Sequence, residues 1–157
     1  MINIEKLCKS HFDAVRLITL ADEQIKFAGT ADDFLSQGSD TTHLHIIKDQ
    51  DTIVGFFKLD TAYASSHDFC PGSGLGLRAF VIDNKQQGKG LGTKAVTALF
   101  PYLKNHYASF DSIYLTVNCK NPSAKACYLK GGFEDTGKLY LGGAAGPQTI
   151  MRGQIKP

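Results

Sequence analysis

Apolar and β-favouring residues gather in short runs along this chain, and polar or glycine-rich segments separate them. Residues 2–4, 44–48 and 52–59 read as strands, the last two joined by a polar hairpin turn at 48–51. In residues 75–82, Leu75, Leu77, Ala79 and Val81 alternate with Gly76, Arg78, Phe80 and Ile82, which gives a strand whose two faces both end in large apolar groups. Leu91, Ala95, Leu99 and Leu103 then recur with a helical period that carries to about Tyr107, with Pro101 expected to kink or shorten the helix. Residues 113–118 form another strand, and residues 133–141 and 148–155 a closing hairpin around the glycine-rich segment 142–147. Near the start, Ser10 and Asp13 resemble a capping box for a first helix with Phe12, Val15 and residues 17–20 on its apolar side. Thr30 and Asp33 mark a short second helix through Phe34 and Leu35. Residues 60–74 have no helical or strand period and read as an excursion before the central strand.

Chemistry enters where that strand meets the long helix. Gly88, Gly90 and Gly92 occupy every second position, so the backbone there can adopt conformations closed to other residues and approach a ligand closely. The loop's amides lie at a helix N-terminus, where the first N–H groups have no intrahelical partner and the dipole is positive, a setting suited to phosphate. The spacing excludes G-x-x-x-x-G-K-[ST]. It also excludes G-x-G-x-x-G, because Thr93 stands where the last glycine is required. What is present is Q-x-x-G-x-G, from Gln87 to Gly92. About thirty residues on comes N-x-x-A-x-x-x-Y-x-x-x-G-F, with Asn121 a favoured N-cap, Pro122 suited to the first helical position, and Gly131 suited to a left-handed C-terminal cap.

These two signatures, in this order, resemble the GNAT superfamily of acyl-CoA-dependent N-acetyltransferases. The resemblance implies a single acetyltransferase domain over residues 1–157 with an α+β, three-layer α/β/α fold. Its mixed, mostly antiparallel sheet is split between strands four and five. It implies acetyl-CoA as cosubstrate with no metal, and transfer of the acetyl group to a primary amine by direct attack in a ternary complex. Gln87, Gly88, Lys89, Gly90, Leu91, Gly92 and Thr93 are expected to hold the pyrophosphate through backbone amides, with Lys85, Lys89 and Lys94 adding positive charge. Phe80, Val81 and Ile82 are expected to run beside the pantetheine arm, the Phe80 amide facing the thioester oxygen. Tyr128 matches the tyrosine that protonates the departing thiolate, and Asn118 and Asn121 border the pantetheine region. Plain packing accounts equally for the side chains of residues 80–82, and an ordinary N-cap for Asn121. Where some relatives carry a glutamate on the central strand this chain has Gly76, so the base stays open among Glu23, Asp60 and His67, or the amine arrives neutral. The same gap leaves a second reading, an acyl-CoA-binding sensor or a weakly catalytic member of the fold.

Composition narrows the setting. A chain of 157 residues, 43% hydrophobic, makes one domain with a real core. A net charge of +2 without a basic, aromatic-interleaved stripe gives no reason to expect a nucleic acid partner. No apolar stretch reaches the ~20 residues that span a bilayer, and no signal peptide is evident, so a cytoplasmic protein without a membrane partner is expected. Cys8, Cys70, Cys119 and Cys127 show no regular spacing and read as reduced thiols; His43, His45, His67 and Cys70 form at most a loose metal pattern that surface or packed histidines explain better. The acceptor is an amine of a small molecule or peptide, and the fold allows a homodimer. Asp22, Glu23, Asp32, Asp33 and Asp40 against Lys26, with Asp60 and Asp68 further on, lead to the expectation of an acidic entrance and a cationic acceptor; helix-turn charges and solvated surface explain the same residues.

Overall fold

The computed structural model describes residues 1–157 apart from Glu23, Lys26, Phe27, Ala28 and Gln87. Among the described residues the strands are β1 (Ile2–Lys6), β2 (Thr42–Asp49), β3 (Thr52–Asp60), β4 (Gly74–Ile82), β5 (Ser112–Asn118), β6 (Glu134–Tyr140) and β7 (Gln148–Gln154). They form one sheet in the order β1-β2-β3-β4-β5-β7-β6. The helices are α1 (Phe12–Arg16), α2 (Ala31–Leu35), α3 (Tyr63–Ser66), α4 (Leu91–His106) and α5 (Pro122–Gly131). Only β4 and β5 run parallel, and they pair only at Gly74, Leu75 and Gly76 against Ser112, Ile113 and Tyr114. Beyond that point the sheet opens, which is the expected split.

Each face of the sheet is covered by its own cluster. Leu91, Ala95, Val96, Leu99 and Leu103 of α4 pack with Leu75, Leu77, Ile113 and Leu115, while Val15, Ala31 and Phe34 of α1 and α2 pack with Ile46, Phe56 and Val81 on the other side. The result is the α/β/α layering that the element order implies. Phe34 and Phe56 are fully buried and stack at 4.1 Å, so this pair anchors the thinner layer.

Several expectations are corrected. The first helix is shorter than the apolar run: Ser10 lies in a 3-10 turn, Lys9–His11, and α1 stops at Arg16, leaving Leu17 72% exposed. His11 Nδ1 accepts the Cys8 N–H at 3.1 Å, so Cys8 rather than Ser10 starts this segment. Pro101 does not shorten α4, because Leu99 and Leu103 on either side of it are fully buried against the sheet and packing outweighs one lost hydrogen bond. Residues 60–74 hold α3, a helix too short to show a period in sequence. The positive-φ residue after α5 is Gly132, φ 122°, and Gly131 is the helix's last residue; a Cβ on Gly131 would lie 2.3 Å from Val96, so that glycine serves close helix packing. The short second helix is as expected, and it starts in a capping box: the Thr30 hydroxyl accepts the Asp33 N–H at 3.1 Å and Asp33 accepts the Thr30 N–H at 3.0 Å.

The strict alternation read in β4 also fails. The register steps from Phe56 opposite Val81 to Lys58 opposite Arg78, so Phe57 faces both Ala79 and Phe80, and Ala79 sits at φ 52°. This bulge resets the pleat. Leu75, Leu77, Phe80 and Ile82 share the α4 face, and Val81 turns to the α1 and α2 face.

His43 and His45 are structural. Tyr107 O–H lies 2.7 Å from His43 Nδ1, and Tyr102 O–H lies 2.9 Å from Nε2 of the buried His45, whose ring stacks on Phe57 at 5.0 Å. Burial pulls His45 down to about 4, so it stays neutral in the folded protein. The sign follows: an unfolded histidine takes up a proton near pH 6.5 and the folded one does not, so this contribution is present above 6.5 and is lost as pH falls from 6.5 towards 4. Among the described residues no group of three or more His, Cys, Asp or Glu is placed to hold a metal, and no helix is long and apolar enough to cross a membrane.

Candidate active site

Between the end of β4 and α4 the chain makes a loop held from behind by Asp83. This buried carboxylate accepts the Thr19 N–H at 3.2 Å and the Lys85 N–H at 3.0 Å. Gly88 and Gly90 have φ of 86° and 73°, and an added Cβ at either would meet nothing within 4 Å. Gly90 is the N-cap of α4 without any side-chain cap, so the first amides of this 16-residue helix face the space in front of it. That space is a cleft of about 390 Å³ bordered by Gly88, Gly90, Gly92, Thr93, Ala124 and Tyr128, and it reaches Phe80 and Ile82 on β4.

Of the residues expected here, Gln87 and Glu23 fall outside the described residues, as does Lys26. Gly88, Gly90, Leu91, Gly92, Thr93, Asn121, Tyr128, Phe80 and Ile82 all border the cleft. Val81 does not, its side chain being buried on the opposite face. The lysines contribute less than their number implies: Lys89 donates to Gln86 at 2.8 Å, Lys85 reaches back to the Leu17 carbonyl at 3.1 Å, and Lys94 is exposed on α4. Asn118 ties the end of β5 to the next loop, donating to the Ala145 carbonyl at 3.0 Å and accepting the Lys120 N–H at 2.9 Å. Asn121 caps α5 by accepting the Ala124 N–H at 3.4 Å. Gln24 was not foreseen; it borders the cleft and its amide donates to the Ile82 carbonyl at 3.0 Å. Nothing in its sequence neighbourhood marks it.

At the split the cleft meets a second space. Phe80 and Tyr128, their rings edge to face at 5.8 Å, border the cleft, the split itself and a pocket of about 260 Å³ beyond it. The β4 bulge takes Ala79 and Phe80 out of the β3 ladder, and the split leaves them unpaired towards β5. Backbone groups unpaired in this way are available to a ligand. Burial, with Cys127 beside it, pushes the Tyr128 hydroxyl well above the ordinary tyrosine range, so it rests protonated at neutral pH. Cys127 is pushed up as well, chiefly by burial, which leaves it a poor nucleophile.

The pocket beyond is bordered by Tyr63, His67, Arg78, Thr116, Tyr140 and Gln148. Gly76 lies beneath it, and a Cβ there would be 2.2 Å from the Tyr63 ring. Tyr63 therefore occupies the room in which a side chain at position 76 would have to stand, and it stacks on His67 at 3.9 Å. His67 Nδ1 lies 2.9 Å from the Ser66 hydroxyl and 3.2 Å from the Tyr63 carbonyl, an acceptor, which suits the neutral tautomer with its hydrogen on Nδ1. Asp60 is buried behind the pocket, accepting from the Ala62 N–H at 2.9 Å and from Arg78 at 3.3 Å. Of the acidic residues in the 22–40 stretch, Asp33 accepts the Thr30 N–H in the capping box of α2 and Asp32 pairs with Arg16 at 3.4 Å, while Asp22 and Asp40 are exposed.

Comparison with known proteins settles the family. The model of the acetyltransferase (GNAT) family matches residues 5–133. The uncharacterized N-acetyltransferase YbbJ of Bacillus subtilis (strain 168) is 31% identical over 149 residues, covering 90% of this chain and 89% of that protein. The chain belongs to the GNAT acetyltransferase family. Solved structures agree in fold. The aminoglycoside acetyltransferase AAC(6')-Ib in complex with coenzyme A superposes with a TM-score of 0.80 at 20% identity, covering 98% of this chain and 95% of that one. Spermidine N-acetyltransferase from Vibrio cholerae, in complex with coenzyme A and spermine, gives 0.73 at 16% identity over 98% and 95%.

Proposed function

We propose that this acetyltransferase moves an acetyl group from acetyl-CoA directly to a primary amine, with the coenzyme in the cleft before α4 and the amine in the pocket on the other side of the split. The observation that carries this reading is that Phe80 and Tyr128 line both spaces, so the two meet at these residues. The pyrophosphate suits the amides of residues 88–93 and the positive end of α4, and no metal is needed for such a hold. The pantetheine arm lies along Ile82 and Phe80.

In the reaction the amine nitrogen attacks the thioester carbon, and the carbonyl oxygen takes up negative charge beside the Phe80 amide, which donates to it. The carbon–sulfur bond then breaks, Tyr128 gives its proton to the departing sulfur, and the proton that the attacking nitrogen sheds passes to solvent, from which the Tyr128 hydroxyl is restored. An amine that arrives protonated must first lose a proton. Asp60 is already tied to Arg78 and the Ala62 amide, so His67 Nε2 is the described group best placed to take it. Preorganised donors of the Phe80 kind contribute on the order of 3 kcal/mol in other enzymes. A cytoplasmic setting agrees with four free cysteines.

A cationic acceptor remains a second reading, favoured by relatives named for aminoglycosides and spermidine. Thiol release from acetyl-CoA across cationic, neutral and anionic amines, at low and high salt, tests the whole scheme. Binding of coenzyme A without release for any amine returns the protein to a sensor; failure to bind it in preference to ATP or NAD removes the cleft assignment.

A further inference from the structure

The charge of the acceptor pocket is opposite to what a polycationic amine requires. Among the described residues Arg78 is the only fully charged side chain on its wall, and that side chain is about half exposed, at 48%. Beside it on β3, Lys58 stands directly across the ladder from Arg78. Burial and the Arg78 charge pull the Lys58 ammonium down, with Asp60 opposing, so the two cations feel each other. Against Arg78 stands Asp60, which is buried and holds a single Arg78 nitrogen through one oxygen. Asp68 is exposed and does not border the pocket. Lys58 does not border the pocket, and its ammonium donates to Gln37, so Arg78 is the cation that a ligand there meets, and its fork carries more N–H donors than the one bond to Asp60 uses.

We propose that the acceptor is a small amine that also carries a carboxylate, held by Arg78 while its amino group faces the Phe80 amide and the thioester. This rests on the acetyltransfer reading above and names its substrate class. Arg78 lies two residues before Phe80 on the same strand, across the bulge, so carboxylate and amine separated by a short spacer fit the two positions together. A guanidinium fork matches a planar carboxylate in a way that an ammonium or neutral group does not. The pocket, about 260 Å³, falls below the ~300–1,000 Å³ usual for drug-sized ligands, which favours an amino acid over an oligosaccharide. A polyamine would place a second cation against Arg78.

The test uses the intact protein with acetyl-CoA and follows thiol release for matched acceptors: an amino acid, its carboxamide, the corresponding amine without the carboxylate, and spermidine. The amino acid should exceed its carboxamide in kcat/KM by at least about tenfold, mostly through KM. Arg78→Gln should collapse that ratio to about one, and Arg78→Lys should leave it between. Because Arg78→Gln strips Asp60 of its partner, the double variant Asp60→Asn/Arg78→Gln removes the pair together and reads the same ratio if the single variant unfolds. A preference for spermidine or the carboxamide, or a ratio unmoved in the variants, overturns this proposal and leaves acetyltransfer standing. No release for any acceptor overturns both.

Discussion

The two sides of the split are made of different material. On the coenzyme side the proposed contacts are mostly backbone, drawn from two contiguous stretches at residues 88–93 and 121–128. On the acceptor side they are side chains from scattered places: Tyr63 and His67 around α3, Arg78 on β4, Thr116 on β5, Tyr140 on β6 and Gln148 on β7. A backbone site is written where a helix starts, because glycine spacing and cap chemistry are local. A side-chain pocket is written only in the sheet order. One side can stay constant in a family while the other is exchanged residue by residue.

The sharpest break of that contrast is to give the acceptor side the carboxylate that some relatives carry. Gly76→Glu would drive a Cβ into the Tyr63 ring, so we expect destabilisation near the upper end for overpacking, about 3 kcal/mol, rather than a gain in rate. For a domain of this size that is a fall of roughly 6–12 °C in Tm. Gly76→Glu/Tyr63→Ala, which clears the space, should recover part of the loss. A single variant with unchanged Tm would mean that Tyr63 does not hold this position against β4.

Next in size is Tyr128, which with Phe80 borders both sides. Tyr128→Phe keeps the ring contacts to Phe80 and Phe133 and removes only the hydroxyl. Turnover should fall about 10²-fold, near 2.7 kcal/mol, with acetyl-CoA affinity nearly unchanged. The hydroxyl is held protonated by burial, so no gain in rate with rising pH is expected from it. A rate equal to the parent's under chemistry-limited conditions would return Tyr128 to packing.

How much could be read beforehand follows the same division. The α4 start, the α5 cap and the order of the strands were legible because glycine, Asn121, Pro122 and the apolar periods act over a few residues. The β4 bulge was not, since Leu75 to Ile82 alternates cleanly in sequence and only the pairing of Phe57 with two residues breaks it. Nor was α3, whose four residues cannot display a helical period. The importance of Arg78 was hidden for a related reason: in sequence it is one polar residue in a strand, and its meaning comes from Lys58 across the ladder and Asp60 behind it.

On the coenzyme side, Gly90→Val tests whether backbone alone does the holding. Gly90 has φ 73° and nothing within 4 Å of an added Cβ, so a β-branched side chain strains the turn and fills the room before the helix amides. Coenzyme A should bind at least about tenfold more weakly, 1.4 kcal/mol, by calorimetry on folded protein. Unchanged affinity would remove the loop from the site.

The smallest effect separates two roles at one residue. Asn121 borders the cleft and also caps α5 through the Ala124 N–H. If capping is its contribution, Asn121→Ala should cost about 1 kcal/mol of stability and Asn121→Asp should restore it, because aspartate caps as well as asparagine. Coenzyme affinity should then move little in either variant, since the loop at residues 88–93 and α4 are untouched. If its amide instead holds the pantetheine arm, Asn121→Asp keeps the cap yet loses the N–H donor, and affinity drops while stability does not. Urea unfolding and calorimetry on the same two proteins therefore separate a side chain that shapes the coenzyme side from one that binds through it. A drop in affinity for Asn121→Asp would also weaken the contrast between a backbone-built cleft and a side-chain-built pocket.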